Sequence, residues 1–441
     1  MRRLTNSLTR FWSRGRTVRP HTSPKKHLSL QVERLDDREV PSVTPVGGYF
    51  QVNSTTSAQV KPVVATDPSG NYVVVWQTGV SGQSSDVYAQ RFSAAGVAQG
   101  TEFKVNSDTG SDYAPSVSSD ANGNFVIAWE RSDSTGTNVF ARQFSSTGAP
   151  TTPDFQINQN DTDPYGFPIT RHYDPSVAVA RNGQFVVSWI EYYVQEDTEI
   201  ETDLINAQYY TAAAVPWSET LTIEKVENVY DHGDIGRIMN QQSAADAVGD
   251  FATTWWGSGF PKGDIYARAF NAPATLADNP TPKSDYFMVN TYTHGYQKNP
   301  AISMSSSGEF VVTWDGEGPG SNQGIFARLF NSNTTPVGDQ FTVDGPSAGS
   351  GDVYSSVSMN ASGAFVVSWG GFVTDPSTSL VYTEVFDSQG NPQSGSIQVS
   401  PTGLGGEYSS VALNDSGSFE VVWGTPNTSG AENVFAQMYQ S

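Results

Sequence analysis

A glycine turn followed by an apolar strand and a tryptophan recurs seven times, and no other feature limits the possible folds so sharply. The first copy is Gly70-Asn71-Tyr72-Val73-Val74-Val75-Trp76. The other glycine–tryptophan pairs are Gly123/Trp129, Gly183/Trp189, Gly249/Trp255, Gly308/Trp314, Gly363/Trp369 and Gly417/Trp423. Each copy has an aromatic two residues after the glycine and its tryptophan six after it. Glycine supplies the positive φ that a tight hairpin turn needs. The valine-rich runs that follow are strand-sized, and no segment keeps a helical period.

Three further strand-like pieces flank each copy. An F-x-V-N piece opens the repeat, as in Phe50–Asn53, Phe103–Asn106, Phe155–Asn158 and Phe287–Asn290. A strand of small residues follows, often opened by proline, as in Pro62–Ala65, Pro115–Ser118, Pro175–Ala178 and Pro300–Ser303. The fourth piece comes after the tryptophan, as in Val87–Phe92 and Val139–Phe144. Successive tryptophans lie 53, 60, 66, 59, 55 and 54 residues apart. A four-stranded unit of that length is the period of a propeller blade. The small residues suit the crowded innermost position, and the tryptophan strand suits the buried middle. The sequence therefore predicts an all-β, seven-bladed β-propeller in which the N- and C-terminal strands close the ring. Phe50–Asn53 has no preceding partner and Val434–Tyr439 has no following outer strand. Pairing them would remove two exposed sheet edges. The domains expected are a basic, disordered N-terminal export segment over residues 1–45 and the propeller over 46–441.

Charge separates the same two parts. Residues 1–41 carry ten Lys/Arg against four Asp/Glu, whereas the remainder holds 14 basic and 41 acidic side chains. An acidic body of this kind repels nucleic acid, so no nucleic-acid partner is expected. The chain has no cysteine, which excludes thiol catalysis, thiolate metal sites and disulfides. No apolar run is long enough for a transmembrane helix. Residues 1–28 also lack the apolar stretch of a secretory signal.

The segment Leu28–Ser42 resembles the short N-terminal motif of planctomycete extracellular proteins, roughly L-x-x-E-x-L-E-x-R-x-x-P/L-S. Leu30, Glu33, Leu35, Asp37, Arg38, Pro41 and Ser42 fit it, and Asp36 stands where glutamate is usual. The resemblance implies export to the cell surface or beyond. Residues 50–441 resemble an aromatic-glycine repeat of large bacterial surface proteins, most clearly in Val289–Thr293, Asn299–Ile302, Gly308–Trp314 and Ile325–Arg328. This second resemblance implies a surface location and no defined chemistry. The calcium-binding nonapeptide that some of those proteins carry is absent.

Chemistry is expected in the loops where the repeat breaks down. Three histidines, His172, His232 and His294, fall in equivalent loops of three successive repeats, near Asp174, Asp231 and Asp234. These six are candidates for general acid–base catalysis. Arg171, Tyr173, Tyr230, Arg237, Tyr292 and Tyr296 are candidates for ligand binding, because tyrosines on one face suit stacking on sugar rings. The acidic loop after Trp189 offers Glu196, Asp197, Glu199, Glu201 and Asp203 as candidate metal ligands. Calcium is conceivable there, although the EF-type order is missing. No other cofactor is expected. No nucleophile elbow, P-loop or dinucleotide fingerprint appears in a supporting context.

Two functions fit these residues. One is a monomeric secreted or surface module that binds an extracellular polysaccharide or protein. The other is a carbohydrate-active hydrolase or lyase using loop His/Asp residues on the channel face.

Overall fold

The computed structural model describes residues 43–440 except 55–57, 80–83, 135, 160–161, 163–168, 170, 196–199, 218, 230–236, 260–261, 276–277, 320, 345–352, 373–378 and 426–431. Every regular element among the described residues is a β-strand.

Each repeat contributes an inner strand, the tryptophan strand and a third strand, and the next outer strand completes the unit. The inner strands are Gln59–Thr66, Ser111–Ser119, Arg171–Val179, Arg237–Ala245, Gln297–Met304, Val353–Met359 and Glu407–Leu413. They lie against one another in chain order, and the last lies against the first, so they surround a channel. The N-terminal strand Thr44–Gln51 pairs antiparallel with Val434–Gln440, with Phe50 opposite Ala436.

The expected number of blades requires correction. The structure has five separate blades, not seven: four sheets of four strands and one of five. The remaining strands, from Ser111–Ser119 to Leu221–Val229, form one continuous eight-stranded sheet. The join is a parallel bridge between Arg171 and Thr137. There the strand Gly136–Phe144 reaches the inner strand of the following repeat, and the His172 Nδ1 lies 3.2 Å from the Thr137 carbonyl oxygen. A repeat motif marks the middle of each strand, but it does not say how far the ends extend. Gly136–Phe144 has nine residues where its counterpart Val87–Phe92 has six, and Thr137 lies in the added length.

The repeated residues have separate structural roles. All seven tryptophans are buried, between 0 and 3% exposed. The aromatic two residues after the glycine stacks on the last aromatic of the third strand. Examples are Tyr72 on Phe92 at 5.0 Å, Phe185 on Tyr210 at 4.8 Å and Phe419 on Tyr439 at 4.9 Å. The asparagine of F-x-V-N accepts a backbone N–H of the third strand. Val87 N donates to Asn106 Oδ1 at 3.0 Å, Val139 N to Asn158 at 2.8 Å, and Ile265 N to Asn290 at 2.7 Å. Val434 N donates to Asn53 Oδ1 at 2.9 Å, so the same bond anchors the pairing of the two termini.

The small residues of the inner strands have a role that packing alone would not suggest. Most neighbouring inner strands belong to different sheets, so no ladder satisfies the N–H groups that face the next strand. Serines accept these bonds instead. Val177 N and Val179 N donate to Ser116 and Ser118 Oγ at 3.0 and 3.1 Å. Ser243 N donates to Ser176 Oγ at 2.9 Å, and Met359 N to Ser303 Oγ at 2.9 Å. Val411 N and Leu413 N donate to Ser356 and Ser358 Oγ, and Val64 N donates to Ser410 Oγ, which joins the seventh repeat to the first. Backbone donors left unpaired inside a protein are costly, and these bonds remove that cost around the channel.

Candidate functional site

Every inner strand carries a bulge opposite the tryptophan of its own repeat. In the first repeat Val60 pairs with Gln77 and Val63 with Val75, so Lys61 and Pro62 together face Trp76. The same register shift recurs in the other six inner strands. The first bulge residue is left-handed each time: Lys61 (φ 51°), Ala114 (50°), Asp174 (56°), Asn240 (50°), Asn299 (51°), Tyr354 (54°) and Tyr408 (50°). Non-glycine residues adopt this conformation only where the surroundings enforce it, and bulges of this kind re-aim side chains. All seven residues line one cavity, of about 560 Å³, that occupies the channel. They form a ring at its mouth, at the end remote from the glycine turns.

The residue after the tryptophan helps hold the ring. Gln77 Oε1 accepts the backbone N–H of Ala114 at 2.8 Å, and Glu130 Oε1 accepts that of Asp174 at 2.8 Å. Asp315 stands at the same place in the fifth repeat, fully buried near Tyr354 and Asn299, with the Lys298 ammonium 3.7 Å from its carboxylate. Asp174 continues the chain of contacts, because its carboxylate accepts Gln241 N–H at 3.0 Å. Asn240 Nδ2 donates to Asn299 Oδ1 at 2.5 Å.

Burial sets the acidity of these carboxyls. Glu130 is pushed up to about 7, chiefly by desolvation, with the Asp174 charge adding to the rise and the Asp174 N–H and Lys61 opposing it. Asp174 and Asp315 are each raised to about 6 by burial, opposed at Asp174 by the backbone N–H groups it accepts and at Asp315 by the nearby Asn299 amide and Lys298 charge. Burial therefore raises three carboxyls at or just behind the ring, of which Asp174 lines the cavity itself. The sixth and seventh positions of the ring are aromatic. Tyr354 and Tyr408 are 49% and 41% exposed, and their rings lie 5.6 Å apart at 42°.

The residues singled out from sequence are distributed differently. Asp174 is part of the mouth. His172 is fully buried, with Nε2 3.7 Å from Glu191 Oε2 in addition to its contact with Thr137. His294 is exposed and lies 5.3 Å from the Tyr292 ring, and Tyr296 is exposed nearby in sequence. Arg171 and Arg237 converge on Tyr192, their guanidinium carbons 5.2 and 4.7 Å from its ring centre. Arg237 binds Asp203 at 2.8 Å and Glu201 at 3.7 Å, so these two carboxylates serve a protein cation. Tyr173 neighbours the same pair, and its hydroxyl is pushed up to about 12, first by burial and then by the Asp203 charge. Tyr230, Asp231, His232, Asp234, Glu196, Asp197 and Glu199 lie outside the described residues. Among the described residues no group of three or more His, Asp or Glu side chains is placed to hold a metal ion.

Lys61, Glu130, Asn240, Asn299 and Asp315 were missed by sequence reasoning. A signal was present in the residue preceding the inner-strand proline: Lys61-Pro62, Ala114-Pro115, Asp174-Pro175 and Asn299-Pro300. Position alone could not reveal that these residues share an opening.

No protein-family description matches the chain, and no curated protein does. Solved structures do resemble it. The polysaccharide lyase Uly1 is 8% identical with a TM-score of 0.51, over 90% of this chain and 100% of the lyase. An α-L-arabinofuranosidase from Fusarium graminearum is 11% identical with a TM-score of 0.45, over 74% of this chain and 92% of that one. The NanB sialidase from Streptococcus pneumoniae is 11% identical with a TM-score of 0.45, over 90% and 71% respectively. The similarity to the lyase is one of fold: this chain is a β-propeller.

Proposed function

We propose that this protein is an extracellular propeller that binds a polysaccharide at the channel mouth. The observation that carries the reading is the exposed Tyr354–Tyr408 pair beside a ring of amide, carboxyl and ammonium groups. Sugar rings present apolar faces that stack on aromatics and hydroxyls that bond to polar groups, and this opening offers both. An extracellular location rests on the export-like segment Leu28–Ser42. Among the described residues no helix is long and apolar enough to cross a membrane. Fractionation of cells expressing the tagged chain tests that location.

A glycan array with and without calcium tests the binding. Tyr354→Ala and Tyr408→Ala should each weaken binding of the array-positive glycan by about tenfold, in keeping with 1–3 kcal/mol for a lost aromatic anchor. Unchanged binding in the double variant would refute the site.

A catalytic alternative draws on Glu130 and Asp174, two adjoining carboxyls that ionise near neutrality, as acid–base groups require. In that case the array-positive glycan would be cleaved, and Asp174→Asn would abolish cleavage while leaving binding in place.

A further inference from the structure

At the end opposite the mouth, residues of the glycine turns bond to one another. Arg181, in the turn of the third repeat, pairs with Asp415, in the turn of the seventh, at 2.6 Å. Those turns stand three steps apart one way around the ring and four the other, so the pair crosses the channel. A chain of contacts runs along one side of the ring. Ala361 N donates to Asp415 Oδ1 at 3.0 Å, Ser306 Oγ to the Ala361 carbonyl at 3.1 Å, and Ala247 N to the Ser306 carbonyl at 3.3 Å. Ala121 N donates to the Arg181 carbonyl at 3.3 Å and brings in the second repeat. These residues also line the cavity, at the end remote from the mouth.

We infer that the channel is a cup with one entrance, floored by the Arg181–Asp415 pair, and that it takes a polysaccharide by its chain end. The second half rests on the binding function proposed above. A cavity of about 560 Å³ is within the usual range for small-ligand sites, about 300–1,000 Å³, and so accommodates a short terminal segment. A chain held by its interior would have to leave through the floor or lie across the opening without entering it.

The cup is testable without any ligand, because the chain has no cysteine. Met304→Cys places one thiol on the lower wall, and Ala301→Cys is the substitute should that variant misfold. Lys61→Cys, added at the exposed mouth, is first coupled to a polyethylene glycol maleimide. Reaction of the wall thiol with N-ethylmaleimide is then followed by mass spectrometry. The mouth plug should slow this reaction at least tenfold, and Arg181→Ala with Asp415→Ala should restore it. An equal rate with and without the plug, the floor pair intact, would overturn the cup. For chain-end recognition, the array-positive polysaccharide is compared as a competitor before and after partial depolymerisation. Inhibition at equal mass should rise in proportion to the number of chain ends; inhibition that tracks mass alone overturns it. Should no glycan bind at all, the proposed function fails while the thiol experiment still decides the cup.

Discussion

Glu130→Gln isolates the electrostatic cost built into the mouth. The wild-type carboxyl is nearly buried, and desolvation raises it from 4.5 to about 7. Its folded value lies above its unfolded one, so the folded state keeps the proton over a pH range in which the unfolded chain has lost it. Stability is therefore full below about 4.5, declines as pH rises toward 7, and stays level beyond. That interval corresponds to about 3 kcal/mol at 1.36 kcal/mol per pH unit. Glutamine keeps the size of the side chain and an oxygen to accept the Asp174 N–H, and it has no charge to desolvate. The first repeat already uses this arrangement, since Gln77 accepts the Ala114 N–H at 2.8 Å. The variant should match wild type at pH 4.5 and exceed it by about 3 kcal/mol at pH 7.5. Urea titrations followed by tryptophan fluorescence at pH 4.5, 6 and 7.5 give the comparison. A difference between the two proteins that stays constant across these pH values would refute the desolvation argument. A variant less stable at every pH would mean that the carboxylate is held ionised by its neighbours.

Other expectations follow from the packing. Ser176→Ala removes the acceptor for Ser243 N–H at a buried position and should cost about 1–3 kcal/mol by urea titration. Ser358→Ala, at a half-buried serine where water can replace the lost acceptor, should cost less. Trp189→Ala should destabilise by about 3–5 kcal/mol, with glycan affinity of the folded fraction unchanged. Removing residues 1–42 should leave the melting temperature unchanged, whereas removing 1–52 deletes the strand that pairs with Val434–Gln440 and should lower it markedly. Equal melting temperatures for the two truncations would contradict the role of that pairing.

Much of the scaffold was legible because its residues act locally. The glycine–aromatic–tryptophan spacing identifies a turn and a strand whose stacking partner comes from the same repeat, as Tyr72 and Phe92 do. The F-x-V-N asparagine likewise bonds to a strand just before it in sequence, as Asn106 does to Val87. Strand ends were not legible. The bridge from Arg171 to Thr137 depends on how far two strands extend, and it turns two expected blades into one eight-stranded sheet.

The candidate site was legible at Asp174 and in Tyr354 and Tyr408, tyrosines of the outer-to-inner loops suited to stacking on sugar rings. His172 drew notice as a histidine in an irregular loop, yet its side chain points into the sheet, where burial and the Thr137 carbonyl hold it. Lys61, Asn299 and Tyr408 are widely separated in sequence, and no local pattern makes them neighbours. The sequence by itself determined that a strand and a buried tryptophan recur seven times, because hydrophobic spacing and turn chemistry are properties of short segments. Tertiary structure decided that the bulge opposite each tryptophan turns left-handed, and that the residues so displaced converge on one opening. Convergence depends on the distances at which the inner strands close around the channel, and only the assembled sheets set those distances.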